Sequence, residues 1–474
     1  MSISTSSQSP DAEINSEPGD GITTAQAPDA VVPKAKEHKQ KTAEEIAAKR
    51  AELAFSRSKN TKKVAAAAKP EVPKSEPVYR ALKKKPTVEF VDSASKIPSA
   101  LWRDFFPETI EGRFWYTALE QSKLESQFQF LYALVKEGPD IIAIAPAFVM
   151  NVPMELVVPE PVAKLLKFVE PVLPSLSYQR TLFVGSVCAD EGTIGIKSGI
   201  ALSDIVVPLQ KAVEKKARSL KAPMIVWKDF PDTVAQHFQP LLTAANAFTL
   251  VSFPGTAISL TGNSIDDYFA SLKSSRRYNL KKKLKKSRQA VQIVSSVLQN
   301  PDEQTLVDIF ALFWQTYEKG KTKFELLNLD FFGLMGNCDK AWFILLREEK
   351  AEKLLAFMLC FKLGDKVINK FIGIDYNSPP DWFLYFRLWE AAVQWAVAQG
   401  ATELQSGQTG YRAKIEVGNT LLPLTNYCKH TNPLVNLIYK KVATSVNWST
   451  LDEDLADFLK AHPDTDLDAS PSTR

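Results

Sequence analysis

Val367–Ser406 reads VINKFIGIDYNSPPDWFLYFRLWEAAVQWAVAQGATELQS. Its opening, Val367–Asp375, is apolar and β-branched, as a buried strand should be. Ser378-Pro379-Pro380 breaks that run, because proline cannot donate to a ladder and restricts the residue before it. Leu384–Gln399 then carries Leu384, Leu388, Ala391, Ala392 and Trp395 on one stripe, which predicts a long helix ending at an αL cap on Gly400. Thr402–Ser406 returns as a strand. Upstream, Ala341–Glu348 and Leu354–Leu363 read as two more strands, and Gly364-Asp365 is a hairpin turn. An antiparallel hairpin leading into a strand–helix–strand crossover means a mixed α/β sheet.

The same order is read on either side. In the second half, Ser264 caps a helix over Ser264–Leu272, continued by a basic segment. Val291–Val297 is a strand, Asp302–Glu318 an amphipathic helix, and Asn432–Ser445 a final helix. In the first half, Phe128–Val135 and Ile141–Met150 are adjacent strands, and Thr181–Ser186 is a third. Pro208–Leu220 is a helix, Pro223–Phe230 a strand, Thr233–Ala245 a helix, and Phe248–Leu260 a strand interrupted at Pro254-Gly255. The chain therefore divides into residues 1–87, a disordered tail, acidic then basic; 88–261, a first domain; 262–447, a second; and 448–474, an acidic, frayed C-terminal tail.

The 474 residues carry a formal net charge of +4, which hides a partition. Residues 1–33 sum to −5, residues 34–85 to +10, and residues 451–474 to −5. Lys273–Arg288 alone holds nine cations and no acid, on a central region that is otherwise acidic. Residues 1–88 hold too little apolar surface to offset the entropy of ordering them, though Glu44–Arg57 suits a transient helix. The basic stretch reads as a solvated linker, or as an arm for a membrane surface or nucleic acid. An acidic start excludes a transit peptide, and no apolar stretch reaches the roughly 20 residues of a membrane helix. A cytoplasmic location is expected. Four scattered Cys and four scattered His predict no metal site and buried, reduced thiols. GxGxxG after a strand and GxxxxGK[ST] are both missing, so the common nucleotide-binding readings fail.

Three segments carry candidate chemistry. Asp267–Arg288, DYFASLKSSRRYNLKKKLKKSR, makes a positive field suited to phosphates, with Arg276 and Arg277 as the bidentate pair; a solvated helix face is the alternative. In Gly373–Gly400 the aromatic stripe reads as core, and the helix start is where an anion could meet free N–H groups. Leu404–His430 places Gly407, Gly410, Tyr411, Lys414 and Glu416 just after a strand end, where α/β folds hold ligands.

The runs YFASLKSSRRYNLKKKLKKSR, KFELLNLDFF and LYFRLWEAAVQWAVAQGATELQSGQTGYRAK resemble the Fem/BioF2-like branch of the GNAT acyltransferase superfamily, best over roughly 262–445. SGQTGYRAK is similar to the GxxxYK signature of that branch. The resemblance implies tandem GNAT-like (acyl-CoA N-acyltransferase) domains with mixed sheets, the first degenerate, and a parted pair of central strands that holds the donor. It implies N-acyl or aminoacyl transfer to a primary amine, with acyl-CoA or aminoacyl-tRNA as co-substrate and no tightly bound cofactor. The Q/R-x-x-G-x-G/A pyrophosphate loop of acetyl-CoA enzymes is not evident, which leaves the donor open.

A neutral amine requires a base, and Glu325, Asp375 and Glu416 are the candidates. Tyr411 would protonate the leaving group or hold the oxyanion, and Lys414 would do the latter. Arg276, Arg277 and Lys281 would hold donor phosphates, while Gly407 and Gly410 allow close backbone approach. The competing expectation is a non-catalytic GNAT-like protein that docks RNA or an anionic membrane surface through its basic helix.

Overall fold

A computed structural model describes residues 79–107, 109–153, 178–320 and 325–462. The tail expected over 1–87 lies outside the described residues up to residue 78, as does the helix expected over Glu44–Arg57. From residue 79 the chain is tied down: Arg80 pairs with Glu137 at 2.5 Å, and its amide donates to the Gly199 carbonyl.

The strands are β1 (Thr87–Val91), β2 (Gln129–Glu137), β3 (Asp140–Pro153), β4 (Tyr178–Val184), β5 (Gly195–Ile196), β6 (Met224–Pro231), β7 (Phe248–Val251) and β8 (Gly255–Ser259). They continue as β9 (Ile293–Leu298), β10 (Ala341–Glu348), β11 (Leu354–Leu363), β12 (Lys366–Ile374), β13 (Glu403–Gln405), β14 (Thr420–Leu422) and β15 (Leu424–His430). Two mixed sheets result. One runs β1-β2-β3-β4-β6-β15-β7 with β5 on β3; the other runs β14-β8-β13-β12-β11-β10-β9. In each, antiparallel meanders lead into one parallel pair, β4 with β6 and β12 with β13. The intervening helices, Leu202–Ser219 and Leu384–Ala398, are the crossovers the sequence predicts.

The division expected at residue 261 does not coincide with the division between sheets. β8 belongs to the second sheet, and β15 inserts between β6 and β7 of the first. Each half thus lends one strand to the other. Proline sits at both crossings, Pro254 before β8 and Pro423 between β14 and β15; neither can donate to a ladder, so the chain changes sheet there. Phe248–Leu260, read as one interrupted strand, is therefore two strands in different sheets.

One apolar core serves both halves. Trp102, Trp115, Phe128, Phe148 and Phe183 of the first pack with Ile309, Phe331, Phe332, Phe343 and Phe361 of the second. Trp115 meets Phe331 and Phe361 edge-on at 5.7 and 6.3 Å. A second core fills the far face of the second sheet, under Leu384–Ala398 and the basic helix. A third lies under Leu202–Ser219 on the first sheet.

Some elements differ from expectation for identifiable reasons. The first-half helix begins at Leu202, and Pro208 lies inside it. The basic segment does not continue the helix before it: Leu272 is extended, and a new helix spans Ser274–Ala290. The C-terminal region expected to fray from 448 is ordered to residue 462, as helices Trp448–Leu451 and Glu453–Ala461. Trp448 is buried with Tyr411 and Leu455, and its indole N–H donates to the Ser252 carbonyl at 3.0 Å. Asp452 caps the last helix, so a segment acidic in sum still presents an apolar stripe.

Candidate active site

The parallel pair β12/β13 is bonded only from Lys366–Glu403 to Ile368–Gln405. Beyond it the strands part. Ser406 turns to the Thr256 carbonyl of β8, while β12 runs on through Asn369 and Lys370. Asn369 Nδ2 donates to Ser406 Oγ at 3.4 Å across the mouth. Lys370 is the extra residue of a bulge, since Cys360 pairs with Asn369 and Leu359 with Phe371. The bulge cancels the alternation of faces. Lys370 and Phe371, adjacent in sequence, both turn toward the shared core, Lys370 Nζ to 5.2 Å from the Trp115 ring and Phe371 onto Phe331. The Lys370 side chain is 1 % exposed although the residue as a whole is half-buried, so solvent reaches its main chain.

A lysine so buried needs counter-charge. The first half supplies it: Asp190 Oδ2 lies 3.1 Å from Nζ and Glu111 Oε1 3.7 Å. Burial works against the Lys370 charge, but Asp190 and Glu111 outweigh it and hold its pKa above the ordinary lysine value. Burial, joined by the like charge of Asp190, pushes Glu111 up, with Lys370 opposing. Asp190 also limits the loop after β13. Gly407 has φ 56°, and a Cβ there would come within 2.6 Å of Asp190 Oδ1. Glycine is required on both counts.

The first sheet parts in the same way. Its parallel pair is bonded from Thr181–Met224 to Val184–Trp227, after which Gly185–Cys188 and Lys228–Asp229 separate. Cys188 and Asp229 both have positive φ, 56° and 60°. Glu325 of the second half reaches over and accepts the Cys188 amide at 2.7 Å. Burial and then Glu325 push the Cys188 thiol well up, so it rests as a thiol. Burial opposes the Lys228 charge, but Asp229 and Glu325 raise its pKa overall. Asp229 is fully engaged: Lys228 lies 2.5 Å from Oδ2, Ser252 Oγ donates to Oδ1, and the Asp229 amide donates to Asn426 at 2.8 Å. The two partings meet at the seam, with Cys188, Asp190 and Glu325 between them.

Buried polar atoms normally find partners. Among the described residues, seven buried side-chain atoms have none: Tyr116 Oη, Asp190 Oδ2, Asn369 Oδ1, Lys370 Nζ, Tyr385 Oη, Gln408 Nε2 and Asn419 Oδ1. Lys370 and Asp190 face each other at 3.1 Å as an ion pair, so what is missing around them is further hydrogen bonds and not counter-charge. Five of the seven belong to the seam: Lys370 and Asp190 themselves, Asn369 at the mouth, Gln408 beside Gly407, and Tyr116, which feels the Glu111 charge. Such a concentration suits a polar ligand lying between the halves. Among the described residues no group of His, Cys, Asp or Glu is placed to hold a metal ion.

The residues singled out from sequence go to five places. Glu325, Lys414 and Gly407 join the seam. Lys414 does so indirectly: its ammonium donates to the carbonyls of Ser406, Gly407 (3.2 Å) and Gln408 (2.9 Å), fixing the loop. Burial lowers its pKa to about 8. Tyr411 goes to the core, where it is 0 % exposed and donates to the Pro254 carbonyl at 2.9 Å; burial raises its pKa far from any proton-transfer range. Gly410 has φ 63° and starts the helix Tyr411–Glu416 with open space around it.

Asp375 closes a turn. It accepts from Lys353 at 2.6 Å, the Asn377 amide at 3.1 Å and Ser378 at 3.0 Å. Burial opposes its charge, but these bonds hold the carboxyl below the usual range, which is wrong for a base near neutral pH.

The remaining residues sit around the basic helix. Glu416 pairs with Lys283. Arg277 donates to the Ala270 carbonyl at 3.2 Å and so finishes the preceding helix. Lys281 lies 3.6 Å from Asp266 and over the Phe269 ring at 4.8 Å. Arg288 Nη2 donates to both carboxylate oxygens of Glu390, at 2.6 and 2.7 Å. The run has no acids of its own, but folding brings Asp266, Glu416 and Glu390 to it from elsewhere. Arg276 has no hydrogen bond or ion pair among the described residues, and Lys282, Lys285 and Lys286 stay exposed.

Sequence reasoning passed over Lys370, Asp190, Glu111, Lys228 and Asp229. A signal existed for two of them. Lys370 is the lone charge in the apolar run VINKFIGI, and Asp190 follows a strand end in GSVCADEG, a site rich in small residues. Glu111 lies in an unremarkable loop.

Residues 258–436 match the FemAB-like family, described as peptidoglycan biosynthesis/recognition. No curated protein matches the chain. Among solved structures, FemX is similar at 12% identity, covering 74% of this chain and 100% of that one, with a TM-score of 0.49. L-PGS from Bacillus licheniformis is similar at 12% identity, over 64% and 86% of the two chains, with a TM-score of 0.42. A tandem GNAT protein from the clavulanic acid biosynthesis pathway is similar at 10% identity, over 73% and 99%, with a TM-score of 0.41. The family match thus lies on residues 258–436, which include the parallel pair β12/β13 and the loop after it.

Proposed function

We propose that the chain is an N-acyltransferase that moves an acyl or aminoacyl group from an acyl-CoA thioester or an aminoacyl-tRNA ester to a primary amine, at the parting of β12 and β13. The observation that carries this reading is the concentration of unpartnered buried polar groups around Lys370 and Asp190. In the reaction the amine nitrogen attacks the carbonyl carbon. A C–N bond forms, and the C–S or C–O bond to the carrier breaks. The amine must first lose a proton, and Glu325 or Asp190 takes it. The Lys370 ammonium stabilises negative charge on the carbonyl oxygen, in a site where water is scarce and such charge is worth most. Lys414 positions Ser406, Gly407 and Gln408 against that space. The family description makes an amine of a peptidoglycan precursor the acceptor to try first.

The test is amide formation by mass spectrometry, with acyl-CoAs and aminoacyl-tRNAs supplied separately. Glu325→Gln and Asp190→Asn are each run with wild type. The expected result is product from one donor class, and a loss of about 10²-fold or more in the variant that lacks the base. Full rates in both variants would sink the assignment of the base, and product from neither donor would sink the reaction. Docking of RNA or an anionic surface through the basic helix has weaker support, because Asp266, Glu390 and Glu416 already engage three of its cations.

A further inference from the structure

The helix Pro433–Ala443, PLVNLIYKKVA, packs on β7 and β15 through Tyr439 and Ala443, beside Met224, Phe248 and Cys428. Its opposite face is uncovered. Leu434 is 75 % exposed, Leu437 66 % and Ile438 63 %, higher than any other large apolar side chain of the described residues except Tyr278 at 67 %. Spacing of three and four puts them on one stripe. Three bulky aliphatic groups together in water are unfavourable by the area they leave wet, and such patches mark interaction sites.

The charge around the stripe identifies what covers it. From Val417 to Leu451 there is no Asp or Glu. Lys440 and Lys441 follow the stripe directly, both exposed, and among the described residues neither has a carboxylate within ion-pair distance. Tyr178, 48 % exposed, lies beside Gln179, whose side chain accepts from Tyr439 at the same helix. Aliphatic groups below, lysines at the margin and an aromatic alongside are what the boundary of an anionic bilayer selects. A helix of eleven residues holds a membrane weakly by itself, and stable attachment takes a second signal. Residues 34–85, with a net charge of +10, provide one in their composition.

We propose that the Leu434, Leu437 and Ile438 face of this helix seats on the surface of an anionic lipid bilayer, with Lys440 and Lys441 on the headgroups. This does not depend on the transferase reading. The face uses none of the residues assigned to the proposed transfer reaction, so the two can fail separately.

The test is co-sedimentation of the full chain with vesicles of phosphatidylglycerol and phosphatidylcholine in equal parts, against phosphatidylcholine alone. Binding to the mixed vesicles only is expected. Leu437→Asp and Ile438→Asp should each weaken it about tenfold, and Lys440→Gln and Lys441→Gln together severalfold. The altered side chains are exposed, so melting midpoints should stay at the wild-type value; Leu434→Gln serves in place of any variant that does not fold. Ile438→Trp should be quenched by brominated lipid, which reads insertion directly. Three results would overturn the proposal: equal binding to neutral vesicles; unchanged binding of the aspartate variants; or a wild-type dimer in sedimentation equilibrium that Leu437→Asp dissolves, showing that a second copy covers the face.

Discussion

The two partings have the same backbone plan and opposite states of satisfaction. After Val184–Trp227 the opening of the first sheet is filled by its own side chains: Lys228 with Asp229, Asp229 with Ser252, and Asn426 on the Asp229 amide. After Ile368–Gln405 the opening of the second pairs Lys370 with Asp190 at 3.1 Å but leaves polar atoms of Asn369 and Gln408 without a hydrogen bond. A buried polar group without a partner costs about 1–3 kcal/mol. A fold keeps several in one place where a bound molecule will partner them. This contrast is what favours the second parting as the proposed site, to which the first half sends Asp190 and Glu111 across.

The largest effect should separate the two lysines. Lys370→Met is expected to lower transfer by about 10²–10³-fold. Lys228→Met breaks a buried pair and should lower stability by roughly 3–5 kcal/mol, with the rate per folded molecule unchanged. Single-turnover product formation, corrected for the folded fraction by circular dichroism, makes the comparison. Equal rate losses in the two variants would put both partings in the chemistry.

Next come the glycines after β13. Gly407→Ala meets both a positive φ and Asp190, while Gly410→Ala meets a positive φ alone. The second should cost about 1–2 kcal/mol in urea unfolding. The first should cost more and also displace Asp190, lowering transfer; indistinguishable variants would show that Asp190 is free to move.

Lys414 provides a pH test. Its folded pKa is about 8, below the value near 10.4 of an unfolded chain. Between these values the unfolded chain binds a proton that the folded one has released. Its contribution to stability therefore rises with pH across that window and is lost as pH falls through about 8. Urea midpoints taken from neutral pH upward should show the rise in wild type and not in Lys414→Met. The smallest effect belongs to Tyr411→Phe, which removes one buried hydrogen bond and should cost about 1 kcal/mol without change in transfer rate. A large rate loss there would return Tyr411 to the site.

Much of this architecture can be read from local chemistry. Gly364-Asp365 closes the hairpin of β11 and β12, and Gly400 ends the helix after Leu384. The stripe of Leu384, Leu388, Ala392 and Trp395 faces the core as its period requires. These are short-range matters of turn geometry and periodicity. What escaped reading is long-range. Nothing in LTNYCKH says that it pairs with β6 and β7, nearly two hundred residues earlier, instead of with its neighbours. Nothing in KKKLKKSR shows that Asp266, Glu390 and Glu416 will come to meet it.

The charge partition, the mixed α/β order of strands and helices and the Fem-like motifs belong to the sequence alone, because each depends on residues near one another along the chain. The site is decided by tertiary structure. A bulge of one residue aims Lys370 at the seam, and only the crossing of β8 and β15 between sheets brings Asp190, Glu111 and Glu325 there to meet it. Charges buried together in a region of low dielectric interact strongly over a few ångströms, and those distances exist only once both sheets have closed on their shared core.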